Sequence, residues 1–144
     1  MQLAKEVQRK VAKFLYKETG VPFTNMEEWA QTQTYLAQSI NELMKQEGAT
    51  PDEEAEAVLA ILMGYTIAVR NPKNIISTLE RAEKVFPNIT SPLLKCQLAI
   101  FCYGECYDKE LSIMAHALIE ELKHSEKDTG HLGCLEELLQ SFAL

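Results

Sequence analysis

The apolar positions of this chain recur in helical steps almost from the first residue. Over residues 3–18, Leu3, Val7, Val11, Phe14 and Leu15 share one face and basic side chains occupy the other. Gly20 fits the position just past a helix end, and Pro22 bars immediate continuation. Asn25 followed by Glu28 has capping-box spacing. It opens a second predicted helix running through Trp29, Leu36, Ile40, Leu43 and Met44 to Gly48.

A start signal then recurs three times: "TPDEE" at Thr50, "NPKN" at Asn71 and "SPLLK" at Ser91. In each, a side-chain oxygen can accept from an orphan backbone N–H, and proline in the first helical position loses no needed donor. Asp52, Glu53 and Glu54 add negative charge to the opening turn at Thr50, where the helix dipole favours it. The prolines at 51, 72 and 92 are about 20 residues apart, one helix plus a turn. The helices share no pattern beyond the cap, so the spacing reads as repeated punctuation.

The segments from Pro51 to about Arg70 and from Pro92 to Tyr103 are apolar nearly all round. Such helices are central and need amphipathic neighbours to cover them. Residues 72–86, 108–124 and 131–142 supply those covers, with the polar "HSEKDTG" (124–130) as a link before the last one. No sustained period-two alternation predicts a strand. The expected fold is all-α, a single compact bundle of about seven helices built from helical hairpins, with residues 1–144 as one domain.

One corner stands out, "FCYGECYDKE" from Phe101 to Glu110. Gly104 suits a left-handed position after a helix C-terminus, and Asp108 can cap the next helix. Glu105, Cys106 and Tyr107 then form the connection, flanked by Tyr103 and Tyr107, whose rings combine an apolar body with a polar tip.

Composition narrows the class. At 144 residues, with 47% apolar and 24% charged residues, the chain is long enough to bury a core unaided. "MQLAKEVQRK" is charged from its fifth residue and does not read as a signal peptide. The uncharged run Ala57 to Val69 falls short of the roughly 20 residues a spanning helix needs. A cytoplasmic protein without a membrane segment is expected, with its four cysteines reduced.

The net charge of −7 argues against general nucleic-acid binding, which draws on phosphate neutralisation by Lys and Arg. The charge is uneven. Residues 1–20 carry five bases against two acids, +3, and the rest carries nine bases against 19 acids, −10. An acidic body with a basic first helix suits a basic protein partner, and it equally suits plain solubility.

Chemical constellations are thin. Cys96, Cys102, Cys106 and His116 could supply four zinc ligands, but their spacing matches no paired knuckle. If Gly104 ends the helix, Cys102 and Cys106 do not share a face; packed, reduced cysteines are the plainer reading. A cysteine nucleophile would need a lowered pKa and an oxyanion donor, and no glycine-rich elbow accompanies any thiol. Glu121 and His124 have the Glu-x-x-His spacing of carboxylate metal bundles, without a second such unit. There is no P-loop and no GxGxxG. No catalytic residue, cofactor or metal is expected.

Two long segments carry a family resemblance. "ATPDEEAEAVLAILMGYTIAV" and "SPLLKCQLAIFCYGECYDKELSIMAHALIEEL", within Ala49 to Leu122, resemble the UpxZ-type antagonists of transcription antitermination in Bacteroides capsule loci. The resemblance implies a small cytoplasmic regulator that binds a NusG-like, UpxY-type antiterminator and so represses competing capsular polysaccharide loci. Partner contact is expected at Tyr103, Glu105, Tyr107 and Asp108, and at Asp52, Glu53, Glu54 and Glu56. The alternatives are a thiol- or zinc-dependent protein centred on Cys96, Cys102, Cys106 and His116, and a generic helical-hairpin interaction scaffold.

Overall fold

The three proline-led starts organise the middle of the molecule. In the computed structural model, which describes residues 2–15, 26–125 and 129–143, they open α3 (Pro51–Gly64), α4 (Pro72–Val85) and α5 (Pro92–Cys106). Thr50 Oγ1 accepts from Glu53 N, Asn71 Oδ1 from Asn74 N and Ser91 Oγ from Leu94 N, each at 3.2 Å. Each capping residue has extended backbone, as a residue before proline prefers.

Among the described residues the other helices are α1 (Gln2–Leu15), α2 (Met26–Met44), α6 (Lys109–Ser125) and α7 (Thr129–Ala143), with a 3-10 turn at Phe86–Asn88. Among the described residues there is no strand. The all-α bundle expected from the hydrophobic pattern is the fold observed. Gly20, Pro22 and Asn25 lie outside the described residues, as does the middle of the 124–130 link. His124 and Ser125 complete α6, and Thr129 and Gly130 begin α7.

Burial follows the apolar pattern. Every residue from Ala57 to Gly64 is buried on α3, which packs against α1, α2, α4 and α5. The second central helix, α5, packs against α3, α4, α6 and α7. It separates two apolar cores. Leu94, Leu98, Phe101 and Cys102 face the core shared with α1 to α4. Cys96, Ala99 and Ile100 face the one closed by Ala115, Ile119 and Leu122 of α6 and Leu132, Leu135 and Leu139 of α7.

Besides α2, which stops at Met44 short of the expected Gly48, two helix ends differ from expectation. The helix after Pro51 was expected to reach about Arg70, but α3 stops at Gly64, and the chain turns through residues 65–68. Turn hydrogen bonds from Thr66 N to Met63 O and from Ala68 N to Gly64 O tighten this exit. Gln33 Nε2 donates to Ile67 O at 3.1 Å, fastening this turn to α2. The apolar run from Ala57 to Val69 hides the end because the turn residues Tyr65 and Ala68 are themselves buried.

The second correction concerns Gly104. It does not end α5, and it does not take the left-handed conformation; the helix continues through Glu105 and Cys106. A Cβ at Gly104 would sit 2.9 Å from the Phe142 ring, so glycine here admits the close approach of α7. The left-handed residue is Tyr107, at φ 56° and ψ 28°. The connection to α6 is accordingly Tyr107 and Asp108 alone.

Candidate functional site

At the acidic start of α3, three carboxylates are engaged within the chain. Asp52 accepts from Thr90 N at 2.7 Å and Thr90 Oγ1 at 2.6 Å, tying α3 to the turn before α5. The Thr90 side-chain hydrogen bond, then its backbone one, lowers the Asp52 pKa below the ordinary range. Glu53 accepts from Ala49 N at 3.2 Å.

Glu54 faces Arg81 of α4, receiving Nε at 2.9 Å and Nη2 at 2.7 Å, and it also accepts from Gly48 N at 3.1 Å. Arg81 donates onward to the carbonyls of Leu43 and Gln46 at the end of α2. One guanidinium thus joins three helices in a fork geometry that a lysine cannot reproduce. Glu56, by contrast, lines an open cavity of about 420 Å³ together with Lys5, Arg9 and His131, and its backbone carbonyl accepts from Gln8 Nε2 at 2.9 Å.

At the α5–α6 corner, Tyr103 and Tyr107 meet edge to face, with ring centroids 5.8 Å apart. Tyr107 N donates to Tyr103 O at 2.8 Å, closing the helix, while the residue is 62% exposed. A non-glycine residue in the left-handed region costs about 1–2 kcal/mol, so the surroundings hold this tyrosine in place. Glu105 pairs with Arg70 from the α3–α4 connection. Asp108 Oδ1 accepts from Glu110 N at 3.0 Å, capping α6 as its position suggested. The corner residues expected at an interface therefore lie together, whereas Asp52, Glu53 and Glu54 form a separate cluster with its own internal partners and Glu56 lies apart from both.

The corner opens onto a groove of about 450 Å³ between α4 and the start of α6. Leu79, Phe86 and Leu111 supply apolar walls, and Ile76 is 58% exposed at the edge. Glu80, Glu83, Asp108 and Glu110 also line it. Sequence reasoning missed the α4 side of this groove. The available signal was the pair Ile75 and Ile76, adjacent on one helix, of which only one can face the core. Ile76, Glu80 and Glu83 follow at helical steps of four and three, so they share a face.

Because α5 continues through Gly104, Cys102 and Cys106 sit one turn apart and line the same groove. Cys96 turns the other way, its Sγ 3.8 Å from Ala115 O, and His116 is exposed on α6. Among the described residues no group of three or more His, Cys, Asp or Glu side chains is placed to hold a metal ion. Burial pushes the Cys96 thiol up to about 12 and raises Cys102 as well, opposite to what a thiolate nucleophile needs. Under native conditions a maleimide is expected to modify exposed Cys106 first, half-buried Cys134 more slowly, and Cys96 and Cys102 only on unfolding. Peptide mass mapping over a labelling time course reads this order, and early modification of Cys96 would contradict the packing.

Comparison with known proteins places this geometry. The UpxZ family of transcription anti-terminator antagonists matches residues 4–104. The fold also matches the crystal structure of a transcription anti-terminator antagonist UpxZ from Bacteroides uniformis, with a TM-score of 0.82 and 25% identity. That alignment covers 99% of this chain and 90% of the other. No curated protein matches this chain.

Proposed function

This chain belongs to the UpxZ family of transcription anti-terminator antagonists, and from that premise we propose that it binds a NusG-like, UpxY-type antiterminator. Binding keeps the antiterminator from assisting RNA polymerase through an operon leader, so competing capsular polysaccharide loci stay silent. The chain acts in the cytoplasm as a single folded domain, by protein contact, without catalysis, cofactor or direct contact with nucleic acid. The observation that carries this reading is the family match across residues 4–104, on a fold shared with the solved antagonist over nearly the whole chain.

The chemistry of the surface agrees with it. A partner that contacts nucleic acid presents basic surface to the phosphates, and the net charge here is −7. Complementary charge speeds encounter and fixes orientation more than it adds affinity. Binding to purified UpxY-type antiterminators by calorimetry is the test. A saturable complex is expected with at least one of them. If none binds at physiological salt, the reading is wrong.

A further inference from the structure

We propose that the groove between α4 and the α5–α6 corner is where the partner docks, and that it receives a segment of the partner bearing apolar side chains flanked by Lys or Arg. This rests on the reading above that the chain acts by binding a protein.

Charge and apolarity together select this occupant. Leu79, Phe86 and Leu111 offer apolar walls, and Ile76 is more than half exposed to water. Burying such surface is the main favourable term in association. Around those walls stand Glu80, Glu83, Asp108 and Glu110, whereas no Lys, Arg or His is among the described residues lining the groove. An acidic or purely apolar segment would meet or bury those carboxylates unpaired, at a cost in desolvation or repulsion. A basic amphipathic segment pairs them while filling the floor, as peptides do in helix-bound grooves.

The groove also differs from the acidic start of α3. There, Asp52, Glu53 and Glu54 already receive hydrogen bonds from their own chain. Here, the carboxylates of Glu80 and Glu83 are exposed and have no hydrogen-bond or ion-pair partner among the described residues, so both remain available to a partner. Exposed Tyr107, held in its left-handed conformation between Cys106 and Asp108, places an aromatic ring at the same corner.

Cys106 supplies a reporter, being exposed and part of the lining. The full chain is mixed with a UpxY-type antiterminator and alkylated with N-ethylmaleimide. The complex is expected to slow Cys106 modification about tenfold or more and to leave Cys134 unchanged. The double variant Glu80→Lys/Glu83→Lys is expected to weaken binding about tenfold or more and to flatten its salt dependence. Glu42→Lys, on the exposed face of α2, is expected to change it less than twofold.

If the antiterminator binds while Cys106 reacts at its free rate, or the double variant binds like the parent, the groove assignment is overturned and the regulatory reading stands. If the parent chain binds no antiterminator, both fall. Circular dichroism of the double variant excludes misfolding as the cause of lost binding.

Discussion

Replacing Arg81 by alanine is expected to lower the free energy of unfolding by about 3 kcal/mol, from the charged hydrogen bonds it makes and the partly buried carboxylate it would abandon. The Arg81 and Glu54 side chains are 18% and 20% exposed, so solvent screens this pair less than it would a surface bridge. Without the guanidinium, Glu54 keeps one backbone donor, Gly48 N, and the carbonyls of Leu43 and Gln46 lose their side-chain partner. Lysine at 81 would restore the charge without the fork and is expected to recover less than half of the loss. Urea titration of the three proteins measures the differences. An Arg81→Ala midpoint within error of the parent would show that the joint contributes nothing.

The same joint sets a pH dependence. Burial raises the Glu54 pKa, but hydrogen bonds from Arg81 and Gly48 N and the Arg81 charge outweigh it, and the net shift lies below the ordinary 4.5. A carboxyl whose folded pKa is depressed contributes stability that is fully present above its unfolded value and lost as pH falls through the folded one. Stability is therefore expected to decline as pH drops below about 4.5, with the decline shallower in Arg81→Ala. Asp52, lowered by Thr90, works in the same direction.

Leu98→Ala is the second large effect, expected to cost about 3–4 kcal/mol, which is the lost transfer energy plus a cavity in a rigid setting. Leu98 is fully buried on α5 in the core shared with α1 to α4. Its helix neighbours Ala99 and Ile100 belong to the second core, closed by α6 and α7. Since one helix seats both cores, neither can keep its packing once α5 is lost. Leu98→Ala is expected to shift a single thermal transition that includes α6 and α7, as seen by helical ellipticity and by exposure of Cys96 together. A separate, unshifted transition of the α6–α7 half would show that the two cores are independent. Against the 5–15 kcal/mol typical of a folded domain, either substitution removes a large share of stability.

What could be read from sequence was what local chemistry determines. Thr50, Asn71 and Ser91 cap their helices because the acceptor and its N–H are three residues apart in the same turn. The uniform apolarity of α3 and α5 likewise announced two central helices. Gly104 misled because its role is set by Phe142, far along the chain, and nothing nearby distinguishes a packing glycine from a terminating one. Tyr107 takes the left-handed position with no sequence mark at all. Of the corner residues singled out in the sequence, Tyr107 and Asp108 are exposed, whereas Tyr103 and Glu105 are partly covered. The α4 wall of the groove was not, since Ile76, Glu80 and Glu83 acquire meaning only beside Leu111 and Asp108.

A reconstituted read-through assay distinguishes antagonism by stoichiometric protein contact from any other mode of action. RNA polymerase transcribes an operon leader with a UpxY-type antiterminator, and the purified chain is titrated in. Read-through is expected to fall to the antiterminator-free level as the chain reaches about one equivalent, and to return when antiterminator is added in excess. Read-through that is unaffected by excess chain, or abolished at a small fraction of an equivalent and not restored by more antiterminator, would rule out stoichiometric antagonism.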